Sequence, residues 1–406
     1  AVGSSGTILT SSNKVSSFYA STNLALYNLD DDFPTDVTVS VSSSDTGEAT
    51  VDTATLTFTP DNWDIAQTVT VTGVNDDDID GHKDYQVGLS SEILNVLSAG
   101  TSWVDRTSES SIPYLFKGVS YGNGTFVAVS AEGKIYTSSD GSSWSVSQNS
   151  DSNGLNGVSY GNDIFVAVGD QGVIVTSSNG TSWERNDDSG TDYTLKGITF
   201  GNGIFVAVGD SGAIYISSDG DDEWRRETSP SYNTLNDVTF GDGTFVAVGN
   251  EGKIYTSSDG TDWVASTSTS TSDTLNGVSY GSGSFVAVGS YGTILTSSDG
   301  GASWENRQDN EVTSSDLNGV SYGSGSFVAV GYEESIITSP DGANWPSIHS
   351  TSSGGYRKYF GVTYANNTFV AVGYEGNEGV ILTSSNAVLT IDESTELALH
   401  NLDDDY

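Results

Sequence analysis

The stretch Leu275-Asn276-Gly277-Val278-Ser279-Tyr280-Gly281-Ser282-Gly283-Ser284-Phe285-Val286-Ala287-Val288-Gly289 decides the fold, together with Ile294-Leu295-Thr296-Ser297-Ser298-Asp299-Gly300 and Trp304 that follow it. It holds short runs rich in Val, Ile, Tyr and Phe, separated by Gly-Ser-Gly and Asp-Gly, which are hairpin signals. The same string recurs along the chain. Its phenylalanine stands at Phe126, Phe165, Phe205, Phe245, Phe285, Phe327 and Phe369, with steps of 39, 40, 40, 40, 42 and 42. Before each comes a Gly-Val-Ser-Tyr-Gly-like string carrying Tyr121, Tyr160, Phe200, Phe240, Tyr280, Tyr322 or Tyr364. Tryptophans stand one strand out of phase, at Trp103, Trp144, Trp183, Trp224, Trp263, Trp304 and Trp345.

Seven all-β units with a period near 40 and no helical periodicity predict an all-β chain built around a seven-bladed β-propeller, four antiparallel strands to a blade. The last unit has three strands and no tryptophan strand. Thr101 to Thr107 is a tryptophan strand without a blade. The two are expected to complete each other, so that residues 101–386 form a ring with no open sheet edge.

Working outward, residues 14–100 carry a different pattern. Val37-Thr38-Val39-Ser40-Val41, Ala54-Thr55-Leu56-Thr57-Phe58-Thr59 and Gln67-Thr68-Val69-Thr70-Val71-Thr72 alternate apolar with polar, which predicts a β-sandwich domain. The chain also repeats itself at long range. Ile8-Leu9-Thr10-Ser11-Ser12-Asn13 returns as Ile381-Leu382-Thr383-Ser384-Ser385-Asn386, and Leu24-Ala25-Leu26 through Asp32 returns as Leu397-Ala398-Leu399 through Asp405, at one offset of 373. Slightly more than one period of a longer tandem array is expected. Residues 1–13 then supply blade strands of a preceding propeller unit, and residues 387–406 the first strand of the next sandwich unit.

With no methionine, the sequence is expected to be a segment of a larger or processed polypeptide. Cysteine is absent, so no disulfide, thiolate metal site or cysteine nucleophile is available. The 54 acids against 13 bases give a net charge of −41, a field that repels phosphate backbones and anionic membranes. Nucleic acid is thereby excluded as a partner. No apolar run approaches the roughly 18 residues needed to span a bilayer, so no membrane insertion is expected in this segment.

The turn before each tryptophan carries a resemblance. Ser297-Ser298-Asp299-Gly300-Gly301-Ala302-Ser303-Trp304, and shorter forms such as Ser138-Ser139-Asp140-Gly141-Ser142-Ser143-Trp144, resemble the Asp-box (BNR) motif of sialidase-like propellers. The aspartate of this motif is expected to tie a hairpin turn to its own backbone. In the first domain, Leu56 through Trp63 and Gln67 through Gly81 resemble the Calx-β-like, Ig-like repeats of large bacterial surface proteins. That resemblance implies calcium at Asp-rich loops. Two clusters follow strand runs, Asp30, Asp31 and Asp32, and Asp76, Asp77 and Asp78 with Asp80 and Asp84, and these eight are the expected calcium ligands. The second cluster is not an EF-hand, because the required glutamate is missing.

The Asp-box resemblance also raises sialidase chemistry, which uses an arginine triad. Arg106, Arg185, Arg225, Arg226 and Arg307 follow blade tryptophans, on outer strands that cannot converge, and Arg357 is expected in a loop. His82, His349 and His400 form no metal or catalytic spacing. No enzyme is therefore expected. The loops after Phe-Val-Ala-Val vary, carrying Glu132, Asp170, Asp210, Glu251, Tyr291, Tyr332 with Glu333, and Tyr374 with Glu375. They should converge on one face, as solvated turns or as a binding surface for a sugar or a cation. The functional expectation is a structural repeat of an extracellular fibre or cell-surface adhesin, partnered by copies of itself and stiffened by calcium. The alternative is a glycan-binding propeller on a surface stalk.

Overall fold

In each repeat the apolar string folds as a four-stranded antiparallel sheet, because each strand ends in a turn its neighbours' chemistry demands. A computed structural model describes residues 8–11, 21–27, 37–43, 49–58, 67–73, 85–90, 100, 103–107, 114–147, 153–186, 190, 192–221, 223–267, 271–307, 314–345, 347–348, 356–385 and 395–399. The chain divides into two units, residues 97–386 and residues 1–96 with 387–406.

Blade 4 of the larger unit shows the construction. Leu235–Gly241 pairs with Thr244–Gly249, which pairs with Ile254–Ser257, which pairs with Val264–Ala265. Asp242 and Gly243 join the first two strands with φ of 48° and 75°, the left-handed pair of a type I′ hairpin. Asn123-Gly124, Asn202-Gly203, Ser282-Gly283, Ser324-Gly325 and Asn366-Asn367 do the same in their blades. A Cβ at Gly243 would meet nothing within 4 Å, so this glycine serves conformation. Gly241 serves space, since a Cβ there would lie 2.1 Å from the Tyr280 ring of the next blade.

The second strand of every blade is apolar on both faces because each face meets a neighbouring sheet. Phe245, Val246, Ala247 and Val248 are all fully buried. Phe245 and Ala247 join Leu235, Tyr255 and Trp263 of blade 4 with Val206, Val208, Ile214 and Ile216 of blade 3 in one cluster. Successive blades repeat this packing around the ring. The seventh interface mixes Val370, Val372 and Ile381 of blade 7 with Phe116, Phe126, Ala128 and Tyr136 of blade 1. Blade 7 itself consists of Arg357–Ala365, Thr368–Glu375, Glu378–Ser385 and, as outer strand, Val104–Asp105. The propeller is therefore seven-bladed.

Among the described residues, the smaller unit holds two four-stranded antiparallel sheets. One runs Ile8–Ser11, Ser21–Tyr27, Gln67–Gly73, Ala49–Val51, and the other Thr395–Leu399, Tyr85–Ser90, Val37–Ser43, Thr55–Phe58. Val41, Leu56 and Val69 are buried. Ile8–Ser11 and Thr395–Leu399, whose sequences were assigned to neighbouring units of an array, here take sheet edges within the one chain. A bare edge strand carries unpaired N–H and C=O groups, so a single chain covers it with the strands it has.

Candidate functional site

The eight aspartates expected to bind calcium, Asp30, Asp31, Asp32, Asp76, Asp77, Asp78, Asp80 and Asp84, lie outside the described residues. Among the described residues no group of three or more His, Cys, Asp or Glu side chains is set to hold a metal ion. The aspartates before the tryptophans are occupied by their own turns. In blade 1, Ser138 Oγ donates to Asp140 Oδ1 at 2.9 Å and accepts from Gly141 N at 2.8 Å. Asp140 Oδ1 also accepts the N–H groups of Ser142 and Ser143 at 2.7 and 2.8 Å, while Trp144 Nε1 donates to Gly141 O at 2.8 Å. The same network surrounds Asp259, where the N–H groups of Thr261 and Asp262 hold the carboxyl down at about 2. Asp299 is held at about 2 by the Ser303 hydroxyl and N–H. These carboxylates are structural.

The turns after Phe-Val-Ala-Val gather on the face where the first strands begin, and most of their acids are spent on neighbouring loops. Asp170 Oδ1 accepts from Asn156 Nδ2 at 3.0 Å, Asp210 Oδ1 from Thr234 Oγ1 at 3.3 Å, and Glu132 Oε2 from Leu115 N at 3.0 Å. Arg357 is not in a loop. It opens the strand Arg357–Ala365, with only 12% of its side chain exposed, and bridges Asp105 at 2.7 Å and Glu375 at 2.8 Å. It stands opposite Glu375 in the ladder with Thr368–Glu375, and the two carboxylates fix the guanidinium there. The other arginines stand on or beside outer strands: Arg185 in Glu184–Arg185, Arg225 and Arg226 as a pair, Arg106 after Val104–Asp105 and Arg307 after Glu305–Asn306.

Two features of this face stand out, the first not expected from the sequence and the second expected only in part. The first is a set of asparagine clamps near the axis. Asn156, Asn236, Asn276 and Asn318, second in their first strands, each donate Nδ2 to the carbonyl of the next blade, on Leu195, Leu275, Leu317 and Tyr359, at 2.7–3.0 Å. Lys117 and Lys196 take this place in blades 1 and 3, and Lys117 Nζ sits 4.0 Å from the centre of the Phe360 ring. Burial pushes the Lys117 ammonium below its ordinary range, against the attraction of Glu132. At the next position glycine stands in six blades, because first strands approach too closely for a side chain. A Cβ at Gly197 would lie 2.7 Å from Asp237 Cα. Blade 4 alone carries a carboxylate, Asp237, which accepts Val238 N at 2.8 Å and Val278 N of the next blade at 2.9 Å. Burial raises its pKa to about 7, with the two N–H bonds opposing. A register comparison of the repeats exposes Asp237 as the odd residue in a glycine column, which was the available signal.

The second is a cleft of about 410 Å³ among the loops of blades 5, 6 and 7. Tyr291, Tyr332 and Tyr356 line it with Ser314, Ser315, Asp316, Glu333, Arg357 and Lys358. Tyr291 and Tyr356 are 67% and 84% exposed. Asp316 Oδ1 accepts Tyr291 N at 2.9 Å, Glu333 Oε2 accepts Ser315 Oγ at 2.7 Å, and Lys358 Nζ lies 4.5 Å from the Tyr332 ring centre. Of the loop residues singled out in the sequence, Tyr291, Tyr332 and Glu333 meet here, whereas Glu132, Asp170, Asp210 and Glu251 do not. Flat aromatic faces beside fixed acceptors and an ammonium can hold a polyhydroxylated ligand.

Residues 185–317 match the family model of the DUF6242 beta propeller domain. No curated protein matches the chain. Among solved structures, "YCF48 bound to D1 peptide" is similar with 17% identity and a TM-score of 0.57, covering 70% of this chain and 94% of that one. YCF48 from Cyanidioschyzon merolae is similar with 16% identity and a TM-score of 0.56, covering 70% and 98%. Virginiamycin B lyase from Staphylococcus aureus is similar with 11% identity and a TM-score of 0.58, covering 70% and 99%. At such identities the likenesses establish one thing about the chain, that it contains a β-propeller.

Proposed function

We propose that this chain is a structural repeat unit of a large extracellular fibre or cell-surface adhesin, non-enzymatic, and joined end to end through shared β-strands. The observation that carries the reading is the return of residues 8–32 at residues 381–405 with one offset of 373, so that a blade strand and a strand of the smaller unit each occur twice in one chain. Duplicated strands are what a tandem or polymeric array needs at its joints. The propeller is taken as an Asp-box propeller and residues 14–100 as a Calx-β-like sandwich. Asp30, Asp31, Asp32, Asp76, Asp77, Asp78, Asp80 and Asp84 are proposed to bind calcium there and to stiffen it. The position of five arginines on or beside outer strands, and the pairing of Arg357 with two carboxylates, support a non-enzymatic role.

Electron microscopy of the purified chain over a range of concentrations tests the fibre. End-to-end strings are expected, and isolated globules at every concentration would refute it. For calcium, chelation should lower the melting temperature; an unchanged melt removes the sites. The tyrosine cleft favours a second reading, a glycan-binding propeller displayed on such a stalk. A glycan array should then give signal that Tyr332→Ala and Tyr356→Ala abolish, and silence of the unmodified chain excludes it.

A further inference from the structure

In blades 1–6 the turn leading to the tryptophan is continuous, and in blade 7 it is assembled from two distant pieces. Ser384 Oγ accepts Gly100 N at 2.9 Å, as Ser177 Oγ accepts Gly180 N and Ser257 Oγ accepts Gly260 N, both at 2.9 Å. Gly100 O accepts Trp103 Nε1 at 2.7 Å, as Gly180 O accepts Trp183 Nε1 at 2.8 Å. A Cβ on Gly100 would lie 2.5 Å from Val328 of blade 6, just as one on Gly342 would lie 2.6 Å from Val286 of blade 5. Among the described residues, the split turn thus repeats the serine–glycine and glycine–tryptophan bonds of the continuous one.

The sequence explains how. Ser177-Ser178-Asn179-Gly180-Thr181-Ser182-Trp183 of blade 2 is reproduced by Ser384-Ser385-Asn386 read on into Gly100-Thr101-Ser102-Trp103, and equally by Ser11-Ser12-Asn13 read on into the same four residues. Residues 14–99 occupy the place of one peptide bond in a blade turn. The tryptophan strand consequently has two identical acceptors, Ile8-Leu9-Thr10-Ser11 and Ile381-Leu382-Thr383-Ser384, and only the second is a propeller strand of this chain.

Among the described residues, none of the contacts that hold this clasp depends on chain continuity. Val104–Asp105 is a two-residue strand; Arg106 N donates to Ile381 O at 2.9 Å, Arg106 Nε to Thr383 Oγ1 at 2.8 Å, and Asp105 pairs with Arg357. A clasp donated by another copy would make the same bonds. With the bonds alike, effective concentration and the reach of the chain on either side of the clasp set the balance between the two arrangements, as in strand exchange.

We propose that the Trp103 clasp is exchanged between copies, Gly100 and Trp103–Thr107 of one chain closing blade 7 of another. The proposal rests on the fibre reading and assigns its joint. The chain has no cysteine, which makes a disulfide trap clean. Thr383 faces Val104 in the register of the clasp, and Thr256 faces Val264 in the continuous hairpin of blade 4. Full chains carrying Val104→Cys, on a mass-tagged copy, and Thr383→Cys are melted to check folding, mixed and oxidised. Thr256→Cys mixed with Val264→Cys is the control, and Val87→Cys with Leu397→Cys traps the edge of the smaller unit. Heterodimer is expected from the clasp pair at about tenfold or more over the blade 4 control. Adding Gly100→Ala to the donor should bring it down to the control. Clasp dimer no greater than the control overturns the proposal. Should the Val87 and Leu397 pair alone cross-link, the clasp idea falls and the fibre reading stands; should no pair cross-link and microscopy show only globules, both fall.

Discussion

Replacing Asp237 by asparagine should make the propeller less sensitive to pH between 5 and 8. The carboxyl sits where the first strands of blades 3, 4 and 5 converge, accepting N–H groups from Val238 and Val278. Burial, the larger effect, raises its pKa from 3.8 to about 7. Between those values the folded state holds a proton that the unfolded chain has released, so stability falls as pH rises through the window and the loss is complete above about pH 7. At 1.36 kcal/mol per pH unit, the interval sets a ceiling of about 4 kcal/mol on the cost of ionisation. The side chain keeps partial solvent access, so about 1–2 kcal/mol is the expected effect. Urea unfolding of the unmodified chain and of Asp237→Asn at pH 5, 6, 7 and 8 isolates this site, because the remaining carboxylates cancel in the difference. The variant should gain on the unmodified protein as pH rises. A difference that stays flat, or one that turns against the variant at high pH, would refute the reasoning and mean that the two N–H bonds outweigh desolvation.

Further predictions concern the turns and clamps. Gly260→Ala places a side chain at φ 78° and a Cβ 2.7 Å from Ile204, and should cost about 2 kcal/mol in urea unfolding. Asp259→Ala should lower the melting temperature at pH 7. Because the folded carboxyl titrates at about 2, below its ordinary 3.8, that difference should shrink as pH falls from about 4 and be lost only below about 2. Asn276→Ala removes the 2.9 Å bond to Leu317 O and should cost about 1 kcal/mol by denaturant titration. Arg357→Met leaves Asp105 and Glu375 without their shared partner and should destabilise by on the order of 2 kcal/mol, read from tryptophan fluorescence on melting.

The blades were legible because each rests on local chemistry. Phe-Val-Ala-Val reads as one of the short apolar strands, Asp-Gly as a hairpin signal, and the aspartate before each tryptophan as tying its own turn; in the structure these become a strand buried on both faces, the type I′ pair Asp242-Gly243, and the bonded turn of Ser257, Asp259 and Gly260. Much of the candidate site was not legible. The asparagine clamps join residues about 40 apart, Asn276 to Leu317 for example, and nothing local marks Asn276 as a donor to the next blade. Arg357 read as a loop cation because its partners, Asp105 and Glu375, lie on two other strands of blade 7. Tyr356 was not singled out, and joins Tyr291 and Tyr332 only where three loops meet.

By itself, the sequence determined the repeat: seven copies of a string whose apolar runs, positive-φ glycines and tryptophans each specify a four-stranded blade, and the one offset that returns residues 8–32 at 381–405. The strand and turn signals depend on residues within a few positions of each other, and the repeat and the offset on comparing the string with itself. The tertiary structure decided what no local pattern encodes, namely which distant groups meet. It partly buried Asp237 against two backbone N–H groups, tied Arg357 to two carboxylates, and brought Gly100 against Ser384, 284 residues away, to rebuild a turn from two pieces. Ring closure is the physical reason, because a propeller puts the first and last parts of its sequence in one sheet and makes their contacts a matter of geometry.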